Sequence, residues 1–193
     1  MRTPFWIIAL VLVLAGCASQ SINLNYYLLH SPHGDNKAEQ QPVSQLSLQK
    51  LVLPEYLKQR SLVMQTSATT LHFSPHHVWA EPVQSGMLKA LENDLWQQHQ
   101  ILSVPAGLAQ HNNDLSRADV AIVVDDFLPT YEGQAILRGK YWVMYPDQRK
   151  TMHIFTLQLN LSEDGFEHAV LQMQELVRKL SEHIASTLNT ERG

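Results

Sequence analysis

The last part of the chain changes its apolar period, and this change constrains the fold more than any other feature. Apolar and polar residues alternate over residues 151–161, which predicts a strand with one buried face. From residue 164 to 188 the apolar residues recur at intervals of three and four, which predicts an amphipathic helix. This apolar stripe comprises Phe166, Ala169, Val170, Met173, Leu176, Val177, Leu180, Ile184 and Leu188. A one-sided strand followed by a one-sided helix indicates a sheet that is covered by a helix.

The preceding sequence adds several strands and one more helix. Strands are predicted at residues 25–29, 46–53, 61–66, 69–73, 101–104, 120–128 and 134–145, and a helix at residues 82–98. The turn pairs Glu132-Gly133 and Pro146-Asp147 join the last three strands into an antiparallel meander. The chain is therefore predicted to be an α+β protein: an antiparallel-rich sheet with two main helices packed on one face.

The N-terminus has the order of a secretory signal. Arg2 is followed by an apolar run, by the small residues Ala15 and Gly16, and then by Cys17. The run is shorter than the roughly 20 residues needed to span a bilayer. We therefore predict a signal peptide at residues 1–16, a tether at residues 17–23 and a single domain at residues 24–193.

The four residues Leu14-Ala15-Gly16-Cys17 are similar to the lipobox of bacterial lipoproteins. The resemblance implies cleavage before Cys17, a diacylglycerol thioether on its sulfur and fatty acylation, such as with palmitate, of its new amino group. A secretory signal with a chance cysteine is the alternative. Cys17 is the only cysteine, so the chain has no internal disulfide to form. In Gram-negative lipoproteins an Asp after the cysteine favours the inner membrane, so Ala18 indicates the periplasmic face of the outer membrane.

The charge balance disfavours nucleic acid as a partner. The chain has 14 basic and 18 acidic residues. Removal of residues 1–16 takes away one of the basic residues, Arg2, and so makes the chain more acidic. An acidic protein is poorly suited to nucleic acid or to anionic headgroups. We therefore expect lipid contact to come from the anchor.

No pattern in the sequence favours catalysis or a cofactor. The histidines that lie close together in sequence are His30, His33, His72, His76 and His77, but none is in a recognised zinc-binding pattern. Neighbours in a strand point to opposite faces, so Asp125 and Asp126 would not share a proton. Nucleophile-elbow and phosphate-loop motifs are absent from the sequence. We predict no catalytic residues, no metal and no cofactor.

Two aromatic groups are candidates for binding a partner. Trp79 and Glu81 stand directly before the predicted first helix, where they could form a packing corner or contact a partner. Tyr141, Trp142 and Tyr145 fall on one predicted strand, where they could belong to the core or to an interface. The sequence leaves both choices open.

The order and spacing of several motifs resemble those of the PqiC family, outer-membrane lipoproteins also described as ABC-type transport auxiliary lipoproteins. The matching motifs are Cys17, Tyr26-Tyr27-Leu28-Leu29, Val52-x-Pro54-x-Tyr56-Leu57-x-x-Arg60, Trp79-Ala80-Glu81-Pro82 and Ala118-Asp119. The resemblance implies non-enzymatic lipid transport between the inner and outer membranes, in support of membrane integrity. It also implies a membrane-embedded transporter subunit and an MCE-domain tunnel protein as partners, with this chain forming a ring at the outer-membrane end of the tunnel.

The resemblance assigns a role to Cys17 alone, as the lipidated residue. Tyr56, Trp79, Glu81 and Trp142 are further candidates for contacting a partner. An alternative function is that of an outer-membrane lipoprotein that regulates a periplasmic cell-wall enzyme. A third, a small-ligand carrier, would require a sizeable apolar cavity.

Overall fold

A computed structural model describes residues 23–30, 41–105 and 117–190 of the chain. The strands are β1 (Asn25–Tyr27), β2 (Ser44–Val52), β3 (Ser61–Ser67), β4 (Thr70–Trp79), β5 (Ile101–Ser103), β6 (Arg117–Pro129), β7 (Gln134–Met144) and β8 (Lys150–Asn160). The helices are α1 (Val83–His99), α2 (Phe166–Thr190) and a short 3-10 helix at Glu55–Leu57. The strands form two sheets, of order β1-β4-β3 and β5-β2-β6-β7-β8.

The predicted meander is confirmed, but the antiparallel-rich sheet is wrong. Strands β6, β7 and β8 pair antiparallel in sequence order. Strand β2, however, pairs parallel with both β5 and β6, and β1 pairs parallel with β4. Parallel neighbours need long crossover connections, and here the link from β2 to β5 contains β3, β4 and α1. Turn residues in the sequence reveal hairpins but do not reveal such crossovers.

Strand β4 extends six residues beyond the predicted end at Phe73. Pro75 in the sequence suggests that the strand ends there, because proline cannot donate a ladder hydrogen bond. The register with β3 does shift at this point, from Val63↔Phe73 to Ser61↔Val78. The Ser74 hydroxyl oxygen accepts the amide hydrogen of His77 at 3.1 Å within this bulge. The strand then continues because β1 pairs with its last three residues.

Both helices pack on one face of the five-stranded sheet, as predicted, and they also pack against each other. The predicted stripe of α2 is buried from Ala169 to Leu188, with Phe166 half-buried at its start. Gly139 is required on the helix-covered face of β7. A Cβ there would lie 2.2 Å from the Val123 carbonyl oxygen and 2.8 Å from Cζ of Phe155. The missing side chain lets the Phe155 ring cross β7 closely.

Candidate interaction surface

The face of the five-stranded sheet that points away from the helices carries an exposed apolar patch. In the strand register Trp142 lies opposite Met152, and Lys140 lies opposite Ile154. Ile154 is 71% exposed and Met152 is 53% exposed, while Trp142 is half-buried. These four residues, Lys140, Trp142, Met152 and Ile154, are called the outer patch below.

The outer patch arises from an inversion of polarity along β8. In the second half of the strand Phe155 faces the core and Thr156 faces solvent. In the first half His153 faces the core, where it stacks on Tyr141 with 5.1 Å between ring centroids. Ile154 and Met152 are therefore left on the outside. Neither residue was predicted as a contact residue, although two adjacent apolar residues, Ile154 and Phe155, mark the inversion in the sequence.

The surroundings of the outer patch are polar. Further along the same face Arg138 pairs with Asp126 at 2.9 Å. Lys140, in contrast, has no carboxylate partner within the described ranges. Strand β8 lies at the edge of the described sheet, and it contains no proline and no bulge against β7. Edge strands of this kind usually carry charges that prevent pairing, but the only lysine of β8 is its first residue.

The structure separates the four sequence candidates for partner contact. Trp142 belongs to the outer patch. Trp79 is 2% exposed and is packed in the core, which fits the packing-corner interpretation. Tyr56 is half-buried and its hydroxyl oxygen accepts the amide hydrogen of Phe127 at 3.2 Å. Burial raises the pKa of Tyr56 to about 12.

Glu81 makes contacts within the chain. One carboxylate oxygen lies 3.0 Å from Nδ1 of His30, and the other lies 2.5 Å from Nζ of Lys89. The carboxylate therefore connects the segment after β1 to α1. Cys17 lies outside the described residues, as does His33.

Of the other aromatic candidates, Tyr141 belongs to the core. Its ring is fully buried, and its hydroxyl lies 2.7 Å from Oγ1 of Thr187 and 3.1 Å from Nδ1 of His183. Tyr145 is half-buried, with the Arg149 guanidinium 4.7 Å from its ring centroid. These contacts lie on the helix side of the sheet and in the turn after β7, away from the outer patch.

The clustered histidines serve other contacts. His77 lies 2.9 Å from the hydroxyl of Tyr27 and stacks on Phe166 at 3.9 Å, whereas His72 and His76 are exposed. Within the described ranges, no three His, Cys, Asp or Glu side chains are grouped so that they could hold a metal ion. The carboxylate pair is also separated, since Asp126 binds Arg138 and Asp125 is exposed.

Two small cavities lie away from the outer patch. One, of about 220 Å³, is lined by residues that include Arg117, Asp119 and Tyr145. The other, of about 200 Å³, is lined by His153, His183 and residues at the end of α2. Both are smaller than the roughly 300–1,000 Å³ of typical ligand pockets. Neither helix of the described chain has the length and apolar character needed to cross a bilayer.

Comparison with known proteins identifies the family. Residues 26–185 match the family described as the ABC-type transport auxiliary lipoprotein component. The chain belongs to this family. The match begins in β1 and ends in α2, so it spans nearly all of the described fold. The recognition made from the motifs is confirmed.

Two curated relatives agree with this family assignment, and two solved structures share the fold. The chain is 27% identical over 170 residues to the intermembrane transport lipoprotein PqiC of Escherichia coli and to that of Shigella flexneri, covering 86% of this chain and 87% of theirs. The crystal structure of an uncharacterized protein matches the fold of this chain with a TM-score of 0.70 and 20% identity, over 86% of this chain and 99% of the other. Protein XCC0632 of Xanthomonas campestris matches with a TM-score of 0.64 and 15% identity, over 88% and 95%.

Proposed function

We propose that this protein is a non-enzymatic, lipid-anchored accessory subunit of an intermembrane phospholipid transport system. The observation that carries the proposal is the family match over residues 26–185. The PqiC relatives are named intermembrane transport lipoproteins, which supports transport between membranes as the process that this chain serves. The absence of a catalytic pattern from the sequence is consistent with a role in assembly.

In this proposal Cys17 carries the anchor. Residues 1–16 are removed, residues 17–23 form the tether and residues 24–193 form the body. Each methylene of an acyl chain that is buried in the bilayer contributes about 0.8 kcal/mol, and more than one chain makes the attachment stable. Ala18 favours the outer membrane, so the body stands on its periplasmic face.

The body then acts by docking other proteins. The two cavities described above are small and partly polar, which does not favour a phospholipid held inside the monomer. The outer patch, by contrast, offers apolar area with a charged rim, as protein interfaces do. We propose a homo-oligomeric ring at the outer-membrane end of an MCE-domain tunnel, which in turn is served by a membrane-embedded transporter subunit. Anchoring on one surface raises the local concentration of the subunits and so favours assembly.

Substitution of the cysteine tests the anchor. Cys17→Ala should abolish the lipid mass on the N-terminal peptide, and the uncleaved chain should stay in the inner membrane or be degraded. Mass spectrometry and membrane fractionation measure both effects. Ala18→Asp is the matched control: it should keep the lipid but move the chain to the inner membrane. Normal outer-membrane fractionation of Cys17→Ala would contradict the proposal.

Crosslinking in intact cells tests the partner. We expect the tagged full-length protein to recover an MCE-domain protein and further copies of itself. Recovery of a cell-wall synthase without an MCE-domain protein would instead favour the role of enzyme regulator.

A further inference from the structure

We propose that the outer patch of one copy docks against the outward face of α2 in the next copy. The contacting residues on α2 are Glu167, Leu171 and Glu175, which are called the outward stripe below. The inference rests on the proposed ring and assigns the two faces that join its subunits.

The outer patch has the composition of one half of an interface. Ile154 and Met152 expose most of their apolar surface, and Trp142 lies beside them on β7. Lys140 lies on the same face, directly across from Ile154 in the strand register, and its ammonium group is not paired with a described carboxylate. An apolar centre with a charge at its rim is typical of surfaces that bind a protein partner.

The outward stripe has the complementary composition. Its three residues are spaced at i, i+4 and i+8, so they lie on one face of α2. Leu171 is not part of the buried stripe of α2. It is an apolar residue that is 53% exposed. Glu167 is exposed and pairs with no cation of the described chain. Glu175 adds a second carboxylate, which accepts a hydrogen bond from Nε of Arg178 at 2.6 Å.

Three observations favour a second copy of this chain as the occupant. First, the chain itself supplies both halves. Ile154 is exposed beside Lys140, Leu171 is exposed beside Glu167, and neither Lys140 nor Glu167 forms an ion pair within the described residues. Second, the two halves lie on opposite sides of the sheet and helix layers, so the contact joins unlike faces. Contacts between unlike faces run head to tail and can close into a ring.

The third observation is the net charge. The whole chain has a net charge of −4, which opposes binding of the outer patch to an anionic bilayer. A carboxylate-bearing protein surface satisfies Lys140 without this repulsion. We therefore assign Lys140 to Glu167 of the neighbouring copy, with Ile154 and Leu171 buried beside the pair.

A charge exchange tests the assignment in the full-length, lipidated protein in detergent. Lys140→Glu and Glu167→Lys should each raise the subunit dissociation constant about tenfold or more, because each places like charges together. The double variant should return the constant to within about threefold of wild type, because the pair is restored in reverse. Sedimentation velocity and native mass spectrometry measure assembly. A folding defect would persist in the double variant, so rescue would report contact between the two residues.

Directional crosslinking tests the head-to-tail arrangement. Two differently tagged chains, one with Ile154→Cys and one with Leu171→Cys, are mixed and treated with a bismaleimide. We expect the mixed product and no product joining two Ile154→Cys chains. Tyr131→Cys, at an exposed turn position, is the control that should not crosslink to Leu171→Cys. A product joining two Ile154→Cys chains would overturn the proposal.

Further outcomes distinguish a failure of the proposed ring from a failure of the two assigned contact faces. A wild-type chain that stays monomeric at every concentration would overturn the ring itself. A wild-type oligomer that is unchanged by Ile154→Glu and Leu171→Glu would overturn only the assignment of faces. Gln158→Glu, on the same side of β8, is the matched control and should leave assembly unchanged. If Ile154→Cys reacts freely with a maleimide in the detergent oligomer but is shielded in phosphatidylglycerol vesicles, the outer patch is a membrane contact and the proposal fails.

Discussion

Asp94 shows how the environment of one residue sets its contribution to stability. This carboxyl lies on α1, and the charges that act on it belong to α2. Burial is the largest cause and raises the pKa of Asp94 to about 6, with Arg178 opposing the shift and Glu175 and Glu182 adding to it. The folded state therefore binds more protons than the unfolded state between about pH 4 and pH 6. Ionised Asp94 destabilises the fold above that range.

We expect Asp94→Asn to stabilise the protein at neutral pH. The gain in the free energy of unfolding should be about 1 kcal/mol near pH 7.5, allowing for solvent screening of a partly exposed group. The gain should shrink as the pH falls below about 6 and should be lost by about pH 3, where wild-type Asp94 is largely protonated in both the folded and the unfolded state. Urea denaturation at several pH values measures it. Glu92→Gln, at an exposed position of the same helix, is the control and should change stability by less than about 0.5 kcal/mol.

Helix α2 and strand β8 each have one face in the core and one face in solvent. The inner stripe of α2 is buried against the sheet and α1, while Leu171 points outward. Strand β8 likewise places Phe155 in the core and Ile154 in solvent. The inner residues should control the stability of the fold, and the outer ones should control association.

A matched pair of substitutions on α2 tests this division. Leu180→Ala removes a fully buried side chain and should lower the free energy of unfolding by about 2–5 kcal/mol. Leu171→Ala is the same change at an exposed position and should cost less than about 0.5 kcal/mol. Both are measured by urea denaturation at concentrations at which the chain is monomeric. Equal losses of stability would show that Leu171 belongs to the core.

At the scale of the whole molecule, the segment next to the proposed tether is built into the body. Strand β1 pairs with β4, and Leu29 is 2% exposed. The Gln174 amide donates to the Leu28 carbonyl oxygen at 2.9 Å, which joins this segment to α2. A force on the anchor would therefore act on the smaller sheet and on α2 together.

Two truncations test the proposed boundary of the domain. A chain that starts at residue 24 should unfold with a free energy within about 1 kcal/mol of wild type, since the described contacts of β1 are kept. A chain that starts at residue 31 loses β1 and the buried Leu29, so it should lose at least about 3 kcal/mol or fail to fold. Thermal and urea unfolding compare them. Equal stability of the two chains would contradict a body that begins at residue 24.

Local periodicity predicted much of the fold. The spacing of apolar residues in α2 and the alternation in β8 depend only on backbone geometry, so both were readable from the sequence. The parallel pairing of β2 with β5 and β6 was not readable, because the contacts join segments that are far apart along the chain.

The helices, the meander, the family motifs and the expectation of a lipid on Cys17 all follow from the order of the residues along the chain. Which aromatic residues face outward follows instead from how the elements are layered. Trp79 and Trp142 are the same residue type and both lie in strands, yet Trp79 is buried in the core and Trp142 lies on the outer patch. The physical reason is that burial depends on which layers cover a strand. The two helices cover one face of the five-stranded sheet and leave Ile154 exposed on the other.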